Sequence, residues 1–93
     1  MKQQWPHILS FVCVDVYPGG KDVLLVSRED GDWSFLCGST HPESLDQFHV
    51  IGMSHLLERD PTLRQVLNLR RDQSAERHEL GSRWWRVPTS QLR

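Results

Sequence analysis

The sequence predicts a small α+β domain, with an antiparallel sheet of about five strands and two short helices inserted between the third and fourth. Three observations carry this. Runs rich in β-branched and aromatic residues, at 8–16, 23–26, 33–37 and 83–87, are separated by glycine-containing turns. Val50, Met53, Leu56 and Leu57 recur at helical spacing, which places one apolar stripe against a core. Asp60-Pro61 then has the chemistry of a second helix start, a capping carboxylate followed by a residue whose missing N–H costs nothing there.

The length of 93 residues fits one domain, spanning residues 1–93 with an ordered core at about 7–88. Leu, Ile, Val and Phe make 25 of those residues, which clears the roughly one-fifth below which chains tend to stay disordered. Such a short chain buries only about 60% of the surface its unfolded form exposes. Its four tryptophans therefore matter, since each can bury on the order of 150 to 250 Å².

In chain order, residues 8–16 have apolar side chains on both parities, the pattern of a strand covered on both faces. Pro18-Gly19-Gly20-Lys21 supplies a turn, and residues 23–26 return as the partner of a first hairpin. An acidic turn at Glu29 to Asp32 leads into a third strand, on which Trp33, Phe35 and Cys37 share a face because side chains alternate. That alternation makes Trp33 a core residue. Gly38 ends the pattern, and residues 39–48 read as a polar loop in which Thr40-His41-Pro42-Glu43 has capping-box spacing. The first helix ends before Pro61, and the second buries Leu63, Val66 and Leu67. Gly81-Ser82 marks a turn of a closing hairpin between residues 75–79 and 83–87, stopped by Pro88. The last five residues carry no core pattern and are expected to fray.

Several chemistries find no support in the spacing. His41, His49 and His55 match neither a metal-binding helix face nor a zinc finger, so no metal is assigned. Asp30, Asp32, Glu43 and Asp46 lack the spacing of an EF-hand and read as solvated turn carboxylates. Pro-Gly-Gly-Lys is too short for a phosphate loop and precedes a strand, so no nucleotide cofactor is assigned either. A nucleophile at Cys37 would need a base and an exposed, electropositive setting, whereas its alternation with Trp33 and Phe35 suggests a buried thiol. Cys13 and Cys37 are expected to be reduced, since the amino terminus lacks the pattern of a secretion signal and the chain is read as cytoplasmic. No run approaches the ~20 apolar residues of a membrane span.

Charge is small in sum, −1, but uneven. Residues 1–58 hold three Lys/Arg against eight Asp/Glu, and residues 59–93 hold eight against four, so the two halves are set to attract one another. Trp84 and Trp85 are neighbours, and on a strand they face opposite sides. One of them, flanked by Arg83 and Arg86, has the composition of an interface hot spot or of a base-stacking surface.

The order of these motifs resembles a family of small bacterial domains of unknown function grouped with immunity proteins of polymorphic-toxin systems. The resemblance rests on Asp30-Gly31-Asp32-Trp33-Ser34-Phe35 with Gly38, on Asp60-Pro61, and on Arg77, Gly81 and Trp84, across residues 28–87. Asp32 stands where that family tends to have glycine, and Ser39 and Thr40 stand where it tends to be acidic. The resemblance implies a domain without catalysis that occludes a partner protein such as a cognate toxin. The surface it suggests combines polar loop residues Asp30, Asp32, Glu43 and Asp46 with Arg83, Trp84 and Arg86. The alternative is a nucleic-acid-binding module using the basic, tryptophan-containing C-terminal half.

Overall fold

In the computed structural model, which describes residues 8–38 and 48–92, the sheet is built around a strand that enters late. β1 (Leu9–Cys13), β2 (Leu25–Ser27), β3 (Trp33–Leu36), β4 (Phe48–Gly52), β5 (Gln73–Glu76) and β6 (Trp85–Pro88) form one sheet in the order β4-β1-β3-β2-β5-β6. The α+β class holds, with six strands rather than five. The helical segments, α1 (Met53–Arg59) and a 3-10 segment over Pro61–Val66, follow β4 and precede β5.

The expected first hairpin does not form. β3 lies between β1 and β2, parallel to β1 with Val12 opposite Phe35 and antiparallel to β2 with Val26 opposite Phe35. The sheet is therefore mixed, not purely antiparallel. The reason lies in residues 14–21, which close on themselves: Val16 N–H donates to Cys13 O at 3.0 Å, Gly19 N–H to Val14 O at 2.9 Å and Lys21 N–H to Asp15 O at 2.8 Å. Gly19 is required there, because a Cβ would sit 2.5 Å from the Asp15 carbonyl oxygen. This coil sets β2 down one strand position away from β1, and β3 fills the gap. The antiparallel hairpin is instead β2–β3, turned by Glu29–Gly31 with Asp30 and Gly31 at positive φ (55° and 86°).

β4 takes Val50 out of the helical stripe. Phe48, His49, Val50 and Ile51 are aromatic or β-branched and pair with β1, so Phe48 belongs to a strand and not to the preceding loop. The helix begins only at Met53, after an extended Gly52. Its end before Pro61 and the role of Asp60 follow the sequence reading: the Asp60 side chain accepts the Thr62 N–H at 3.0 Å. The capping-box segment Thr40 to Glu43 lies outside the described residues.

The closing hairpin exists but is shifted. Gln73 to Glu76 pairs with Trp85 to Pro88, and Arg77 to Glu79 belong to its connection. Pro88 is tolerated because β6 is the sheet's edge. The segment expected to fray instead forms a 3-10 turn, Thr89–Leu92, with Thr89 buried and its Oγ1 2.9 Å from Ser74 Oγ.

Paired residues of neighbouring strands point to the same side. Val12, Phe35, Val26 and Ala75 thus make one row across β1, β3, β2 and β5, and all four are fully buried. Met53, Leu56, Leu57, Leu63, Val66 and Trp33 join them in one core cluster. The helical segments therefore cover this face, and the functional question moves to the other.

Candidate partner-binding surface

On the opposite face, the row through Val50 and Phe11 continues to Ser34, Ser27, Ser74 and Val87. Thr89 and its turn cover the serine end through the Ser74 bond. The β1–β4 end is open: Leu9, Phe11 and Val50 are 67%, 42% and 53% exposed. Phe11 and Val50 are direct cross-strand partners, and Leu9 lies two residues along the same face of β1. Three large apolar side chains thus form one patch at the β4 edge. The sequence could not reveal it, because residues 8–16 are apolar on both parities and nothing local says which parity is covered.

The two tryptophans at the other edge separate as strand geometry requires. Trp85 is 39% exposed, its ring 4.8 Å from that of His78. Trp84 is half-buried, packs against the core, and carries the Arg77 guanidinium 4.3 Å over its ring. The more exposed indole is therefore Trp85, where the sequence reading had placed Trp84 in the partner surface. Arg83 is exposed, and Arg86, also exposed, donates from Nη2 to the Gln65 carbonyl at 3.0 Å.

The acidic candidates lie elsewhere. Asp30 and Asp32 are exposed in the turn beyond Ser27, at one end of β2, whereas Trp85 pairs with Glu76 beside Leu25 at the other end. The structure does not bring them together with Arg83 and Arg86. Asp30 is instead engaged locally: its N–H donates to Asp72 Oδ1 at 2.8 Å, and its carboxylate lies 3.5 Å from Arg71 Nη2. Glu43 and Asp46 lie outside the described residues. The attraction between acidic and basic halves is realised here, between Arg71 and Asp30.

Arg77 was not singled out by chemistry in the sequence, yet it is the most committed polar group. Its side chain is fully buried. Nη2 donates to Asp60 Oδ2 at 2.8 Å, Nη1 to Thr62 Oγ1 at 2.8 Å and Nε to the Val23 carbonyl at 3.0 Å. Thr62 Oγ1 in turn donates to Asp60 Oδ1. This network ties the β5–β6 connection, the residues before β2 and the Asp60 corner into one clip. A cavity of about 290 Å³ beside it is lined by Lys21, Asp22, Arg59, Asp60 and Leu80 among others, with both charge signs on its wall. Arg77 itself is consumed by structure, so this corner reads as a scaffold.

Among the described residues, no group of three or more His, Cys, Asp or Glu side chains is placed to hold a metal ion, and no helix is long and apolar enough to cross a membrane. His49 and His55 are exposed, on β4 and α1. Cys13 and Cys37 are buried as thiols, and burial pushes the Cys13 thiol up from its ordinary value. In comparisons with protein-family models, curated proteins and solved structures, nothing matches the chain.

Proposed function

We propose that this chain is a non-catalytic domain that binds a protein partner and acts by covering part of its surface, in the manner of the immunity proteins its motif order resembles. The observation that supports the reading is the patch of Leu9, Phe11 and Val50 on the uncovered end of the sheet. Burying three side chains that are about half exposed is worth on the order of 3 kcal/mol, which is roughly a hundredfold in affinity. Trp85, between Arg83 and Arg86, supplies a second contact at the far edge.

A protein partner is favoured over nucleic acid because the open patch of Leu9, Phe11 and Val50 is apolar, and three of the eight arginines in residues 59–93 already have partners within the fold. Arg77 is paired with Asp60, Arg71 with Asp30 and Asp72, and Arg86 with a backbone carbonyl. Phosphate binding needs several uncommitted cations together.

The test uses affinity capture from the native host with the wild-type chain and with Phe11→Asp and Val50→Asp. A stoichiometric protein recovered by the wild type and lost by both variants, whose circular dichroism is unchanged, is the expected result. Capture that survives both substitutions, recovery of no protein under several growth conditions, or salt-sensitive binding to single-stranded oligonucleotides would overturn the reading.

A further inference from the structure

A pair of thiols lies apart from the proposed surface. Cys13 ends β1, and Cys37 directly follows β3, its parallel neighbour. Val12 is opposite Phe35, so the two cysteines are one residue out of step on adjacent strands. With strands ~4.8 Å apart and a rise of ~3.3 Å per residue, their Cα atoms are about 6 Å apart; regular alternation would turn the two side chains to opposite faces, but Cys13 is the last residue of β1, Cys37 lies past the end of β3, and both are buried in the same core cluster. The Cys13 thiol lies close enough to Cys37 for that residue's backbone and thiol to influence its titration. Cys37 Sγ also lies 3.9 Å from Asp15 Oδ2, on the coil that follows β1 and closes over the end of β3.

Access is one-sided. Cys37 forms part of the wall of an open cavity of about 320 Å³, together with Gly38, Arg77 and His78, whereas Cys13 does not reach it. A small oxidant entering that cavity meets one sulfur, with the second behind it.

We propose that Cys13 and Cys37 are a redox pair, in which a peroxide entering this cavity oxidises Cys37 and Cys13 then closes a disulfide between the ends of β1 and β3. In the first step the Cys37 sulfur attacks one peroxide oxygen and the O–O bond breaks. Hydroxide leaves and takes up the thiol proton as water, and Cys37 is a sulfenic acid. In the second step the Cys13 sulfur attacks the Cys37 sulfur and the S–O bond breaks. Hydroxide leaves with the Cys13 proton as a second water. Two thiols and one hydrogen peroxide thus give one disulfide and two waters. The thiols are the reductant and the peroxide the oxidant. Because it does not line the cavity, Cys13 is held for the second step and not the first.

The experiment treats the folded, full chain with hydrogen peroxide, then blocks remaining thiols in denaturant with N-ethylmaleimide and reads intact mass and peptide map. The expected result is loss of two hydrogens, no added maleimide, and one peptide pair linked through Cys13 and Cys37 within a single chain, reversed by dithiothreitol. With Cys13→Ser, dimedone is expected to trap a sulfenic acid at Cys37. With Cys37→Ser, Cys13 is expected to remain unmodified over the same time. The wild-type map decides the matter even where a variant folds poorly. Two maleimides per chain after peroxide, links only between chains, or sulfinic and sulfonic acids at both positions with no link would overturn the proposal.

Discussion

The Arg77 clip sets the clearest quantitative expectation. Arg77→Met keeps the aliphatic stem against Trp84 but removes three donors, leaving Asp60 Oδ2, Thr62 Oγ1 and the Val23 carbonyl without them. Removing one partner of a buried pair costs about 3 to 5 kcal/mol, because the other charge stays behind without compensation. The Asp60 side chain is 15% exposed and still accepts from Thr62, so water and that bond relieve part of the penalty. The lower end, ~3 kcal/mol, applies. A domain of this size holds on the order of 5 to 14 kcal/mol in total, so the variant loses a large share of its stability. A shift of ~4 to 8 °C per kcal/mol makes the fall in Tm about 12 to 24 °C. The assay is urea unfolding of wild type, Arg77→Met, Asp60→Asn and the double variant. The double should be less destabilised than the sum of the singles by more than ~1 kcal/mol, since neutralising Asp60 removes the stranded charge. A single-variant loss below ~1 kcal/mol, or additivity within ~0.5 kcal/mol, would show that the network does not hold the corner.

Three further outcomes follow from packing and titration. Trp33→Ala should cost about 3 to 5 kcal/mol by the same unfolding assay, since the ring is buried, stacks on Phe35 with centroids 6.0 Å apart and carries the Arg28 guanidinium at 4.8 Å. A loss below ~1 kcal/mol would contradict its place in the core. Gly19→Ala should cost ~2 to 3 kcal/mol, because the new Cβ meets a backbone carbonyl, while Gly81→Ala, with φ of 87° and no neighbour within 4 Å, should cost only ~1 kcal/mol. Equal losses in the two would refute the steric argument. Stability should also fall with alkali: the buried Cys13 thiol titrates higher when folded than when unfolded, so its contribution is complete below its ordinary value of 9.0 and is lost as pH rises through the folded one. Chemical unfolding between pH 7 and 10 should show a shallower decline for Cys13→Ala than for wild type.

Local chemistry in the sequence carried the elements whose causes are local. The Asp60-Pro61 start, the acidic turn before Trp33, the alternation that buries Trp33 and Phe35, and the Gly81 hairpin are fixed by residues within a few positions of each other. Strand partnership was not legible, because pairing β1 with β3 rather than β2 depends on how residues 14–21 coil, and Pro-Gly-Gly is equally compatible with a tight hairpin turn. β4 was hidden by Val50, whose spacing to Met53 fits a helix as well as a strand beside one. The surface suffered from the same limit. Exposure of Leu9 and Phe11 depends on which face the distant helix covers, and commitment of Arg77 depends on Asp60, seventeen positions earlier.

The late entry of β3 also constrains the order in which the chain can assemble. Ser10 finds its neighbours at Trp33 and Ile51, both far downstream, so β1 has no local partner as it emerges during synthesis. Closing those long loops before any contact rewards them is entropically unfavourable and slows folding. Until residues of β3 and β4 arrive, Leu-Ser-Phe-Val-Cys is an unpaired, uncharged segment of high β-propensity, the kind that associates with copies of itself. Substitutions that delay β1 docking should therefore be felt first as lost soluble yield, before any change in the stability of the molecules that do fold.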